Sequence, residues 1–147
     1  MTFASSAMEP TIPQNRRFIF DSRYYNNQLK HRGDLIVMRH QGSLTVKRIA
    51  AVAGDRIEGK DWVIILNGKI QNEPYMRHVR QIASPPELET FQAVVIPAGK
   101  YFVIGDNRDT SLDSRSPGYG LVDDASIVGK PLYWYQLHGH PLSQDIY

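Results

Sequence analysis

The run Gly105-Asp106-Asn107-Arg108-Asp109-Thr110-Ser111-Leu112-Asp113-Ser114-Arg115 gathers carboxylates, guanidiniums, hydroxyls and turn formers as no other part of this sequence does. A solvated loop with an Asx turn at Asn107 and scattered ion pairs would have the same composition, so the run alone leaves site and turn both open. Elimination narrows the chemistry. Asp106 and Asp113 could pair as the two carboxyls of a glycosidase, but each is followed two positions on by an arginine, which favours ion pairing over a raised carboxyl pKa. None of His31, His40, His78, His138 and His140 lies in this run or in the serine-containing turn near the N-terminus, so nothing supports a Ser/His/Asp triad. His138-Gly139-His140 has no third ligand in view and reads as a plain tail, so neither a metal nor another cofactor is expected.

Hydroxyls and a lysine remain. An unperturbed ammonium with pKa about 10.4 is neutral in roughly one molecule in a few thousand at pH 7, so a base lysine needs burial to lower it by about three units, or about 4 kcal/mol. Lys47 is the candidate, because Leu44-Thr45-Val46-Lys47-Arg48-Ile49-Ala50 alternates and puts Thr45, Lys47 and Ile49 on one face. An exposed strand lysine beside an exposed Arg48 is the alternative on this segment alone.

The elements that must position these groups read as strands. Phe18 to Phe20 and Leu35 to Met38 are strand candidates, Ala53 to Ile57 is a turn, and Trp62 to Leu66 with Asn67-Gly68 and Lys69-Ile70 is a hairpin on a type I′ turn. Ala93 to Ile96, the turn Pro97-Ala98-Gly99 and Tyr101 to Ile104 form a second hairpin that delivers Gly105. Ile127-Val128 and Leu132 to Tyr135 supply closing strands. Pro10 and Pro13 forbid a helix, which leaves residues 5 to 13 extended or tightly turned with backbone groups free for another chain. Residues 73 to 92, with Pro74, Pro85 and Pro86, read as a surface excursion or a small second subdomain. No helical periodicity is sustained, so the fold class is mostly β.

At 147 residues and 41% apolar content the chain suits one domain, residues 1–147, with a real core. Its formal charge of +2 is spread along the chain with no basic run, which argues against a nucleic-acid partner. Cysteine is absent, which excludes disulfides and thiol chemistry. No window approaches the roughly 18 apolar residues a membrane span needs, and Met1-Thr2-Phe3-Ala4 is too short for a signal sequence, so the abrupt start reads as a trimmed chain.

Four segments in order, Ser5-Ser6-Ala7-Met8-Glu9-Pro10-Thr11, Arg32-Gly33-Asp34, Val46-Lys47-Arg48 with Gly54-Asp55, and Gly105 to Arg115, resemble the type I signal peptidases, the Ser/Lys endopeptidases that cut signal peptides from exported proteins. The resemblance covers most of residues 4 to 135 and implies a compact β-barrel-like catalytic domain, with residues 73 to 92 as a small inserted excursion. It implies Lys47 as general base, Ser5 with the backbone N–H of position 7 as oxyanion hole, and Ser111 as the hydroxyl that orients Lys47. Arg48, Asp106 and Arg108 become an ion-pair scaffold, with Asp113, Ser114 and Arg115 in support, and Phe3, Met8 and Val46 become pocket walls for small side chains before the cleaved bond. The partners implied are signal peptides of exported preproteins and a membrane surface, touched through apolar residues near 3 to 12 such as Phe3 and Ile12. The full-length protein is expected to carry one N-terminal anchor in the inner (plasma) membrane, with this domain on the extracytoplasmic side.

One departure matters most. The family pattern Ser-x-Ser-Met-x-Pro-Thr has its nucleophile just before Met, where this sequence has Ala7, and a methyl group cannot attack a carbonyl. Ser6 is no substitute, because a one-residue slip on an extended chain aims its side chain the other way. Retention of Lys47, Ser111, Asp106 and Arg108 around one missing oxygen fits an introduced Ser-to-Ala change. A natural non-catalytic relative that binds extended peptides or assists surface-protein assembly is the second reading.

Overall fold

Short antiparallel hairpins make up the computed structural model, which describes residues 2–78 and 86–135. In chain order the strands are β1 (Thr2–Phe3), β2 (Arg16–Asp21), β3 (Leu35–His40), β4 (Ser43–Ala51), β5 (Arg56–Lys60), β6 (Val63–Leu66), β7 (Lys69–Ile70), β8 (Phe91–Val95), β9 (Lys100–Ile104), β10 (Val122–Asp123) and β11 (Ile127–Tyr135). A single helical turn, α1, spans Pro86–Glu89. The strands form a seven-stranded sheet, order β1-β2-β11-β3-β4-β9-β10, and a four-stranded sheet, order β7-β6-β5-β8. The mostly β class expected from the sequence is the class observed, and the larger sheet curls into a half-barrel.

Asn67 and Gly68, with φ of 52° and 79°, make the type I′ turn that their sequence predicts. The β5–β6 hairpin turns on a less obvious pair, Asp61 and Trp62, at φ of 49° and 69°. Trp62 therefore sits in the turn and not in the strand assigned to it. Its ring stacks on His78 with centroids 4.0 Å apart and its backbone N–H donates to the Glu89 carbonyl, contacts that hold a large residue in a backbone region it rarely adopts. Arg56 and Ile57 begin β5 and are not part of the preceding turn.

The second predicted hairpin does not form. β8 pairs with β5 in the smaller sheet, whereas β9 pairs with β4 and β10 in the larger one. Ile96 is 1% exposed, and it exchanges backbone hydrogen bonds with the turn at Gly54 and Asp55, which sends the chain across from one sheet to the other before Pro97. The closing strands are one continuous strand, β11.

The larger sheet is buried on both faces at its centre, so polar alternation fails there. In β3, Leu35 and Val37 pack with Phe3, Met8 and Trp134, while Ile36 and Met38 pack on the other side with Ile49 and Val103. β4 runs between these two layers, and that is how a lysine on it becomes buried. Phe3 and Ile12 belong to the core, at 3% and 0% exposure, and are not the lipid-facing surface expected of them.

Candidate active site

Residues 4–15 join β1 to β2 as a long turn pinned from below by Met8 and Ile12. The turn is tight, and three backbone bonds hold it: Ile12 N–H donates to Met8 O, Glu9 N–H to Ser6 O, and Asn107 N–H to Ala7 O. Ala7 N–H donates to Ser5 Oγ at 3.1 Å. Of the two forms its prolines allow, extended or tightly turned, the segment takes the second. Ser6 Oγ meets Thr110 Oγ1 at 3.3 Å.

Lys47 lies on β4 opposite Ile36 and is 3% exposed, and its Nζ donates to Ser111 Oγ at 2.8 Å. The exposed alternative for Lys47 and Arg48 is not what the fold adopts. Burial lowers the Lys47 ammonium from its ordinary 10.5 to about 8; Asp113 and Asp106 oppose the shift and Arg115 reinforces it. At mildly alkaline pH such an amine is largely neutral and can accept a proton.

That burial is a stability cost with a definite pH window. Unfolded, the lysine binds its proton up to about 10.5, whereas folded it releases it near 8, so the cost of about 3 kcal/mol is fully present below pH 8 and disappears as the pH rises toward 10.5. Lys47→Met is therefore expected to stabilise the protein at pH 7 by on the order of 1 to 3 kcal/mol in urea unfolding, with the gap closing between about pH 8 and 10.5. A gap that ignores pH would show that Lys47 carries no such shift.

The buried carboxylates are neutralised by arginines. Arg48 makes a two-pronged pair with Asp106, Nε to Oδ1 at 2.8 Å and Nη2 to Oδ2 at 2.7 Å, and the Thr11 hydroxyl donates to the same Oδ2. Arg115 embraces Asp113 through Nε at 2.8 Å and Nη2 at 3.0 Å. Burial alone would raise the Asp113 carboxyl, but the Arg115 guanidinium and its hydrogen bonds outweigh that and hold it below the usual carboxylate range. Asp113 also accepts from Gly105 N–H at 2.9 Å, and Ser114 Oγ accepts from Val103 N–H at 3.0 Å, so both lock the loop against β9. Arg108 departs from expectation. It does not pair with Asp106; it takes Glu73 in a two-pronged pair at 2.6 and 2.9 Å and donates from Nε to Gly105 O.

Gly105 sits where the parts converge. A Cβ added there would lie 2.1 Å from Ser111 Oγ and 2.5 Å from the Ala7 carbonyl oxygen, so Ser111 and residue 7 press on the same vacant spot. The sequence-predicted residues Ser5, Ala7, Lys47, Ser111, Arg48, Asp106, Asp113, Ser114 and Arg115 are joined by this network. Phe3, Met8 and Val46 lie together just beneath, packed with Phe18, Leu35 and Trp134, so as walls they would meet a ligand only from below. Sequence reasoning missed the roles of Thr11, Glu73, Tyr75 and Gly105. His138-Gly139-His140 and residues 79–85 of the predicted excursion lie outside the described residues.

The family model described as signal peptidase, peptidase S26, matches residues 1–135. Signal peptidase I of Bacillus licheniformis is 35% identical over 130 residues, covering 84% of this chain and 69% of the relative. Signal peptidase IB of Staphylococcus aureus is 34% identical over 141 residues, covering 88% and 73%. The crystal structure of a signal peptidase I from Enterococcus faecalis superposes with a TM-score of 0.56 at 26% identity, covering 70% of this chain and 97% of that one. The chain belongs to the signal peptidase family, peptidase S26, whose members are serine endopeptidases that remove signal peptides.

Proposed function

We propose that this chain is the extracytoplasmic catalytic domain of a type I signal peptidase whose nucleophile position is held by Ala7, so that it binds signal peptides without cutting them. The observation that carries the reading is the buried Lys47, hydrogen-bonded to Ser111, whose side chain meets the residue 7 carbonyl at Gly105. With serine at position 7, neutral Lys47 takes the hydroxyl proton as the oxygen attacks the carbonyl, and the resulting ammonium protonates the departing amine. The position-7 N–H and the Ser5 hydroxyl hold the oxyanion, and Lys47 then activates the water that releases the acyl group. In the unbound site the Ser5 oxygen already accepts from that N–H, so substrate must turn the Ser5 hydroxyl outward. An extended peptide with small side chains is the substrate this reading calls for, seated above the turn that Phe3, Met8 and Val46 support from below. Turnover of a small-residue signal-peptide substrate by this chain and by its Ala7→Ser form tests the reading. Cleavage by the serine form alone supports it, and cleavage by neither, with both folded, leaves peptide binding as the function to pursue. The native Ala7 reading, a non-catalytic relative, rests on the same methyl group.

The membrane contact is assigned to a different face from the one the sequence suggested. Ile19 and Tyr133 are cross-strand partners, 41% and 39% exposed, with Arg17 one step along the same face and Thr2 paired to Arg17. Apolar and aromatic groups beside an arginine, at the edge where a preceding anchor would join, suit a lipid headgroup region. Ile19→Glu with Tyr133→Glu is expected to cut co-sedimentation with phosphatidylglycerol vesicles at least about fivefold, from lost apolar burial and added negative charge. Unchanged sedimentation would remove this face from that role.

A further inference from the structure

Residues 73–78 lie along the 105–109 loop, and four of the six, Glu73, Tyr75, Arg77 and His78, grip it or its neighbours. Glu73 holds Arg108 with two charge-assisted bonds and is itself nearly buried, and the Tyr75 hydroxyl donates to Glu73 Oε1 at 3.3 Å. The Tyr75 ring lies against the Arg48 guanidinium, 3.8 Å from centroid to Cζ. Arg77 pairs with Asn107 as an isolated parallel bridge: its N–H donates to Asp106 O at 2.7 Å, and Arg108 N–H donates to Arg77 O at 2.8 Å. Arg77 also reaches Glu9 at 3.0 Å, on the turn that carries residue 7. His78 Nδ1 contacts Asp109 Oδ1 at 2.6 Å.

Two routes lead from this strap to the lysine. Through Glu73, Arg108 is aimed so that its Nε fixes Gly105 O, and Gly105 is the surface on which Ser111 rests. Through Tyr75, Arg48 is kept flat and in plane with Asp106, next to Lys47 on β4. Without Glu73, Arg108 would be a buried cation lacking its carboxylate, which is costly enough to force rearrangement of the loop. Without the ring, Arg48 would lose a partner that constrains its plane.

We propose that Glu73 and Tyr75 are positioning residues of the site, acting through Arg108 and Arg48 to hold Ser111 against Lys47 in a dry environment. This rests on the Ser/Lys reading for its meaning in catalysis, but its structural content does not, and the test is arranged accordingly. The first readout is the titration midpoint of the Lys47 ε-amine in the Ala7 chain as it stands, followed by competitive labelling with a trace acylating reagent and peptide mapping. The charged groups acting on Lys47 are Asp113, Asp106 and Arg115, and none of them is altered by the variants. Glu73→Gln and Tyr75→Leu are each expected to admit water and raise the midpoint by about one pH unit or more toward the ordinary lysine value. Tyr75→Phe, which keeps the ring, and Glu73→Asp are expected to recover at least half of that displacement.

The second readout uses the same variants on an Ala7→Ser background, where kcat should fall about tenfold or more with KM within about threefold, and the pH profile should move upward with the lysine. A midpoint that stays in place in both Glu73→Gln and Tyr75→Leu, with circular dichroism unchanged, overturns the proposal. If Ala7→Ser proves inactive while the midpoints move, the positioning role stands and the peptidase reading falls. Should Glu73→Gln fail to fold, Tyr75→Leu against Tyr75→Phe decides alone.

Discussion

Ala7→Ser is expected to raise turnover of a small-residue signal-peptide substrate from background by at least about 10⁴-fold, since loss of a serine nucleophile in a comparable peptidase costs on the order of 10⁶ in kcat. On the proposed reading one atom is missing, and the groups around it are already set. Asn107 N–H holds the Ala7 carbonyl, Met8 is fully buried below, and the Lys47–Ser111 bond is already made at 2.8 Å. The pH dependence distinguishes this mechanism from a histidine-driven one. With Lys47 lowered to about 8, about one molecule in ten has the neutral amine at pH 7, so kcat/KM should climb roughly tenfold per pH unit below the midpoint and level above it. An ordinary lysine would still be climbing at pH 10. A rate that is level from pH 6 to 9 would exclude Lys47 as the base, and absence of any rate in a folded serine form would exclude the dyad.

Much of this is legible in the sequence because the informative residues are chemically unusual where they stand. A lysine alternating with isoleucine, two Asp-x-Arg pairs and an Asn-Gly dipeptide each have few explanations, and the hairpin at Asn67-Gly68 and the Asp113–Arg115 pair formed as read. What could not be read depended on distance through space. Both aspartates have an arginine two positions on, yet Asp106 turned to Arg48, because Arg48 on β4 reaches it from the neighbouring strand while Arg108 is drawn to Glu73. Nothing local to Glu73 announces this; only the surplus of a buried cation does. The Pro97-Ala98-Gly99 turn looked like a hairpin because turn chemistry is the same whether the two strands pair with each other or with different sheets. The resemblance implied a membrane contact, and Phe3 and Ile12 were placed there as apolar residues of the right segment, but apolar character is equally satisfied by a core.

Gly105→Ala is expected to abolish the Lys47–Ser111 contact and, on the serine background, to lower kcat/KM by at least about 10²-fold. The reason is contact and not backbone conformation. The new methyl carbon would fall 2.1 Å from Ser111 Oγ, 2.4 Å from Ser111 Cβ and 2.5 Å from the Ala7 carbonyl oxygen, distances no packed structure tolerates. Either Ser111 rotates and releases Lys47, or the backbone at residue 7 withdraws and takes the nucleophile position out of line, and each outcome breaks the site. Overpacking of this kind costs on the order of 1 to 3 kcal/mol, so lowered stability alone could mimic the effect. Gly59→Ala separates the two. Its methyl would strike the Phe91 ring at 2.2 Å, a clash against a side chain of the other sheet that stacks on Phe102 and is outside the Lys47–Ser111 network. Gly59→Ala should therefore lower Tm by several degrees with kcat/KM within about threefold of its parent, while Gly105→Ala loses activity well below its Tm. Equal activity losses in the two variants would mean that the site answers to general packing, and that Gly105 is not the point on which Ser111 and residue 7 are set.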